Sequence, residues 1–421
     1  MTVVETSIPW RARLGALTER DYRLLFSATT ITTIGDRLAG IALAFAILDL
    51  GSVTDLGVVL GVRQAVEAAV LVFGGVLSDR LPRNLVLVGA STVQGVAQAF
   101  TAVLVLSGSA SLGLLVALQA LYGVGSGLVI PAEVGLVPQT VSAERLQQAN
   151  ALQGMSRNIV GVAGPAIGGA LIALGSPGIA LGLDAVSFAV CAVLLTRIRI
   201  APRYAEAARE GYFHELRAGW REFTSHTWLW STVLIFGISN MFWSGSWAVL
   251  GPEIADLELG GAGAWALILA ANGVGAILGS FVAMRLRPSR PLFASCLAPL
   301  PMVVVLVALA LGWPVWLIAA ANVFAGIGLS VHLTLWFTVF QREIPETARS
   351  RVSSYDALGS FVLIPVGMAL AGPLSAAIGI DETLWLSVAI FLAATAIIVS
   401  IPSVRSIRGS SVVEPAIPTL P

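Results

Sequence analysis

Four charged side chains interrupt the first two long apolar stretches of the sequence: Asp36 and Arg37 in TTIGDRLAG, and Arg63 and Glu67 in VRQAVE. Arg63 and Glu67 are four residues apart and so share one face of a helix. Counted from the polar segments at one end of each stretch at 1.5 Å per residue, Asp36 lies about 17 Å deep, Glu67 about 15 Å and Arg63 about 21 Å. Two acids and two bases thus meet at one depth, where isolated charges are expensive and must pair or face water. Two chemistries fit. The four form a purely structural ion-pair cluster, or Asp36 or Glu67 takes up a proton and couples its movement to that of another solute.

The surroundings of these charges follow from composition. Of 421 residues 57% are hydrophobic and only 11% charged, against about a quarter charged in ordinary globular domains. That is too little charge to coat a soluble protein of this size. Twelve apolar segments recur, at roughly 25–48, 55–77, 85–107, 111–137, 153–175, 178–196, 227–250, 262–284, 291–312, 314–340, 354–377 and 383–402, each near the ~20 residues a spanning helix needs. The runs are continuous rather than alternating, which selects helices over barrel strands. The expected fold is all-α: twelve transmembrane helices in two six-helix bundles, a monomer in a lipid bilayer.

Other classes are disfavoured by what the chain lacks. All 24 basic residues are arginines, so there is no lysine for a Walker-type phosphate loop or a Schiff base. The three histidines do not cluster, and Cys191 and Cys296 fall within apolar segments. No metal, nucleotide, nucleic acid or cofactor is implied, nor an enzymatic constellation. Three arginines, Arg11, Arg13 and Arg20, precede the first apolar stretch. With no short cleavable segment there, that stretch reads as a retained first span.

Arginine placement orients the chain. With both termini cytoplasmic, every arginine outside the spans lies on the inner side, and Asp256, Glu258, Asp381 and Glu382 lie in outer loops. That is the positive-inside asymmetry. The longest polar segment divides the chain into a first bundle at 1–199, a central cytoplasmic loop at 200–225, a second bundle at 226–402 and a disordered cytoplasmic tail at 403–421. A weak repeat joins the halves: GGVLSDRLPR after span 2 is similar to GSFVAMRLRPSR after span 8, and VSAERLQQAN after span 4 corresponds to IPETARSRVS after span 10. Paired halves with corresponding loops are the plan of many transporters, with the substrate site at the midplane.

These segments resemble the major facilitator superfamily, and within it the drug-efflux branch that includes macrolide efflux proteins and the enterobactin exporter. TTIGDRLAG, GGVLSDRLPR, QQANALQG, GPAIGG and LDAVSF carry the resemblance, which spans nearly all of 21–402. It implies a conformational latch made by Gly75, Asp79, Arg80 and Arg83, with Asp79 facing the start of span 11 near Ser353 or Ser354. Ala283 holds the aspartate's place in the second half, so the latch is one-sided. Gly164, Pro165, Gly168 and Gly169 match the core of a fifth-helix signature associated with antiporters, which favours export over import. Asp36 matches an acid typical of the branch; Glu67 rests on depth and pairing alone.

The remaining polar and aromatic positions within spans are weaker pointers. Asn240, Asn272, His332 and Trp336 are candidates for lining a substrate cavity, or else bridge helices or pack. Trp243 and Trp247, one turn apart, are a substrate wall or interface anchors. Glu133 and Asp184 read as acids near span ends. The expected function is proton-coupled export of small amphipathic molecules from a bacterial plasma membrane. The alternatives are import of a small solute on the same fold, or a sensor or scaffold without turnover.

Overall fold

The structure, a computed structural model, describes residues 15–200 and 212–409, the side chains of 72–80, 173–174, 212–216, 347 and 350 excepted. Among the described residues there is no strand. The first six long helices are α1 (Arg20–Leu48), α2 (Val53–Arg80), α3 (Arg83–Leu106), α4 (Leu112–Thr140), α5 (Leu146–Leu174) and α6 (Pro177–Thr196). A short amphipathic helix, α7 (Tyr212–Ser225), precedes α8 (Thr227–Leu259), α9 (Ala262–Arg285), α10 (Pro291–Ala310) and α11 (Val315–Glu343). Then come α12 (Glu346–Phe361), α13 (Ile364–Ile378), α14 (Ile380–Ser400) and α15 (Pro402–Ser406).

Ten helical stretches among the described residues are long and apolar enough to cross a membrane. The helices α2 and α5, 28 and 29 residues long, have the length as well. Large apolar side chains such as Phe100, Phe324 and Trp316 stand exposed on the outer surface, where in water they would be a liability and in lipid they are at home.

Local chemistry explains where several helices begin and end. At the start of α2, Ser52 and Asp55 cap reciprocally: the Ser52 backbone N–H donates to Asp55 Oδ2 at 2.8 Å and Asp55 N–H donates to Ser52 Oγ at 3.3 Å, a capping box. At the other extreme, α8 stops because Gly260 and Gly261 take positive φ of 93° and 83°, open to glycine without strain. The break between α12 and α13 falls just before Pro365, which has no N–H to continue the ladder.

The helices overrun several expected limits. The seventh span continues to Leu259 through two π-helical turns, Ser246–Leu250 and Ala255–Leu259, so Asp256 and Glu258 are helical rather than loop acids. The helix feeding the eleventh span starts at Glu346, which leaves Ser353 and Ser354 two turns inside it rather than at its N-terminus. The chain also stays folded past 402: α15 follows directly, Val404 is fully buried, and Gly409 N–H donates to Ser289 O at 2.9 Å. Residues 410–421, the rest of the expected disordered tail, lie outside the described residues, as do 201–211 of the central loop.

Helices α1–α6 pack chiefly on one another, as do α8–α14, and the two groups meet along α5 against α9 and α2 against α13. Small residues make the first of these seams. Pro165 cannot donate to the carbonyl of Gly161 four residues before it, and that carbonyl faces Gly273 of α9, where an added Cβ would lie 2.7 Å from the oxygen. Glycine is needed there because backbone, not a movable side chain, is in the way. Gly273→Ala is expected to destabilise the fold by about 1–3 kcal/mol, the usual penalty for overpacking, read as a lowered melting temperature in detergent.

Candidate functional site

Between the two groups of helices lies a cavity of about 410 Å³, walled by α1, α2 and α5 on one side and by α8 and α9 on the other. Asp36, Arg37, Arg157, Asn158, Trp247, Trp265 and Asn272 give it its chemical character. Trp247 sits in a π-helical turn of α8, a distortion frequent at functional sites. Its ring is 4.6 Å from that of Trp265 on α9, and Trp243 stacks behind it at 5.5 Å. The two α8 tryptophans are therefore a cavity wall and its backing.

Asp36 has two faces. One is open to the cavity. On the other, its Oδ1 accepts a hydrogen bond from the hydroxyl of Tyr122 on α4, a side chain only 1% exposed. The guanidinium carbon of Arg63 lies 3.9 Å from the centre of the Tyr122 ring, a cation–π contact. Arg63 Nη1 donates to Gln119 Oε1 at 3.4 Å, and Gln119 Nε2 donates to Thr101 Oγ1 at 3.4 Å. A polar chain thus runs from the cavity through Asp36, Tyr122, Arg63 and Gln119 into the packed interior of the first six helices.

The four charges read from the sequence are therefore not a closed ion-pair cluster. Tyr122 stands between Asp36 and Arg63, and Asp36 makes no ion pair within 4 Å among the described residues. The α2 backbone at Arg63 and Glu67 packs closely on Gly123 and Gly127 of α4, and Glu67 is not among the cavity-lining residues. Arg37 does line it, with its stem laid over Gly164: a Cβ at that glycine would lie 2.5 Å from Arg37 Cβ.

The fifth-helix motif divides its labour. Gly164 seats Arg37, Gly168 faces the backbone of Leu38, Gly169 meets Ala266 across the seam, and Pro165 lines the cavity. Asn272 lines the cavity and donates to Asn322 Oδ1 at 3.1 Å. Three other candidates lie elsewhere. Asn240 bridges α8 to the Ser360 carbonyl at 3.0 Å. His332 is held against Ser295 at 2.9–3.0 Å. Trp336 is buried and donates to Asp356 Oδ2 at 3.2 Å. Of the loop motif, the side chains of Gly75, Asp79 and Arg80 lie outside the described residues; Arg83 lies across Gly135 of α4.

Sequence reasoning missed Tyr122 and Gln119 and misplaced Asp184. Far from a span end in contact with water, Asp184 is fully buried. It lies against Gly35, where a Cβ would come within 2.2 Å of its Oδ1, and it accepts from Ser187 Oγ at 3.3 Å. Its Oδ2 has no hydrogen-bond partner among the described residues. The motif LDAVSF marks the position, but only the packing of α6 on α1 places its carboxylate one residue from Asp36.

The description Major Facilitator Superfamily matches residues 25–363. The chain belongs to that superfamily. It is a multi-pass membrane transporter of the superfamily by sequence, helical content and fold. Over 371 residues it is 26% identical to the enterobactin exporter EntS of Shigella boydii, covering 87% of this chain and 88% of that protein, and it matches the Escherichia coli O1:K1 exporter to the same extent. Among solved structures, a bacterial homologue of the iron transporter ferroportin in an inward-facing state superposes with TM-score 0.71 at 18% identity, covering 90% of this chain and 98% of the other. A bacterial homologue of the human lysosomal transporter Spinster, inward-facing and unoccupied, gives 0.69 at 16%, covering 95% and 98%.

For a transporter, the Tyr122 contact is directly testable. Tyr122→Phe keeps the ring on Arg63 and on Phe188, whose centroid is 5.7 Å away, and deletes one hydrogen bond to a carboxylate. Such bonds contribute about 1.5–3 kcal/mol, so transport is expected to fall roughly tenfold to a hundredfold with the melting temperature little changed.

Proposed function

We propose that the chain is a secondary active exporter of small amphipathic molecules, macrolide-like or siderophore-like compounds and drugs among them, driven by proton antiport. It works by alternating access in a bacterial plasma membrane, with twelve spans and both termini in the cytoplasm. Asp36 carries the proton. The observation that carries this reading is its double placement, open to the cavity between the halves on one side and held by Tyr122 on the other. In that position one carboxylate meets solvent, substrate and the interior polar chain, as coupling requires.

The two seams between the halves support the rocking motion. They are built from glycine and alanine against backbone, contacts that separate and re-form without stranding buried charges. The GDRLAG and GPAIGG motifs and the likeness to an enterobactin exporter support export over import. Asp79, with Arg80, Arg83 and Gly75, biases which side is open. Because α12 starts at Glu346, Ser353 and Ser354 lie inside that helix and offer a latch their hydroxyls rather than free helix N–H groups. Arg80 and Arg83 flank the connection at 81–82, Arg145 lies in that at 141–145, and Arg287 and Arg290 lie in that at 286–290, which supports placing that end inside.

The decisive experiment measures accumulation of a labelled macrolide in cells with and without the protein, before and after an uncoupler. Lower accumulation with the protein, erased by the uncoupler, is the expected result. Higher accumulation with the protein points to import and overturns the export reading, and a difference that survives the uncoupler overturns proton coupling.

A further inference from the structure

The cavity holds an arginine, Arg37, that is exposed in it and has no hydrogen bond and no ion pair within 4 Å among the described residues. Its neighbour Asp36 is engaged with Tyr122. The other cation of the lining, Arg157, has among the described residues one distant ion-pair partner, Glu133 at 3.9 Å, which does not line the cavity. The charged groups among the lining residues are therefore two arginines and one aspartate, Asp36, whose Oδ1 is held by Tyr122 while its other face opens to the cavity, so positive charge is in excess there.

The placement of Arg37 is built rather than incidental. Its Cβ and Cγ lie 2.5 and 3.0 Å from where a Gly164 Cβ would be. Only a glycine at that turn of α5 lets the stem pass and the head project between the halves. Opposite stand apolar and aromatic surfaces, Trp247, Trp265 and Leu269, with the amide of Asn272. A guanidinium is a planar fork of donors that binds carboxylates, phenolates, sulfonates and phosphates two bonds at a time. It gains most where a second charge of opposite sign is missing, and the volume of about 410 Å³ falls in the range of ordinary small-molecule pockets.

We infer that Arg37, seated on Gly164, is the anion-binding residue of the central cavity, and that the substrate class is an acidic amphipath: a flat aromatic or apolar body bearing one oxyanionic group. The body lies against Trp247 and Trp265 and the oxyanion takes the fork of Arg37, with Arg157 adding a favourable field. Lipophilic cations are selected against, since both cavity arginines repel them. This rests on the export reading for the direction in which such a ligand moves, and not for its binding.

The test is equilibrium binding to the purified full-length protein in lipid nanodiscs, by calorimetry, with three probes sharing one body: 2-naphthoate, the neutral 2-naphthamide and the cationic 2-naphthylmethylammonium. Wild type is expected to bind naphthoate at least tenfold more tightly than the amide, and the ammonium most weakly. Arg37→Gln erases the preference for naphthoate, Arg37→Lys keeps part of it, and Gly164→Ala, which displaces the stem, weakens naphthoate alone. A naphthoate preference unchanged in folded Arg37→Gln overturns the inference. So does tightest binding of the ammonium, or a folded wild type that binds none of the three. Should Arg37→Gln fail to fold, Arg37→Lys and Gly164→Ala decide on the same criterion. Loss of proton-driven export with the naphthoate preference intact would strike the export reading and leave this one standing.

Discussion

Replacing Asp36 by asparagine is expected to abolish accumulation driven by a pH gradient while leaving the protein folded and able to exchange substrate. Asparagine is nearly isosteric, and its side-chain oxygen can still accept from Tyr122, so the packing around the Tyr122–Phe188 pair survives. What disappears is the exchangeable proton at the meeting point of cavity and interior chain. At one proton per substrate, two pH units sustain about a hundredfold concentration ratio, because each ~1.4 kcal/mol is a factor of ten. In vesicles with an imposed gradient, Asp36→Asn brings that ratio to about one, whereas counterflow of labelled against unlabelled substrate continues without a gradient. The comparison separates loss of coupling from loss of movement. Gradient-driven accumulation that persists in Asp36→Asn would move the proton elsewhere, and Glu67→Gln, on the α2 face toward α4, is the control that asks where.

The sequence made the spans legible because apolar runs report membrane thickness directly. They report helix length poorly: α12 starts at Glu346 and α8 runs to Leu259, both beyond the apolar limits, because a helix continues into the polar region as long as its backbone bonds are met. Asp36 and Arg63 could be placed at one depth from residue counts, since the rise per residue is fixed. Rotation about the helix axis could not be read. Helices that are apolar all round carry no amphipathic stripe to fix which face looks inward, so Asn240, His332 and Trp336 looked as much like cavity residues as Asn272 and Trp247 do. Only the packing distinguishes them. Tyr122 was hidden for a related reason: between glycines in an apolar stretch it reads as one more aromatic, and its hydroxyl acquires meaning only when α4 brings it to Asp36. Asp184 needed the contact of α6 with Gly35, a tertiary fact without a local sequence signal.

Arg63 is where the structure makes its most demanding energetic claim. Its guanidinium lies over the Tyr122 ring and donates to Gln119, so it is the cation behind the Asp36–Tyr122 bond although it never touches the carboxylate. Arg63→Met removes the charge, keeps much of the apolar stem, and leaves both Asp36 and Gln119 Oε1 facing an uncompensated interior. Stranding one member of a buried charge network costs about 3–5 kcal/mol, and the access of Asp36 to the cavity places this case toward the lower end. Removing the Asp36 carboxylate relieves its share of that penalty, so adding Asp36→Asn to Arg63→Met is expected to recover part of the lost stability. Contacting members of one network couple by about 0.5–3 kcal/mol, which is readable as a double-mutant cycle in melting temperatures of the purified proteins. The single variant should melt well below wild type and the pair between the two, with neither accumulating substrate. Strict additivity would mean that Arg63 and Asp36 do not sense each other through Tyr122. Rescue by Glu67→Gln in place of Asp36→Asn would assign the charge of Arg63 to its own helix face, and would remove the interior arm of the polar chain from the coupling mechanism.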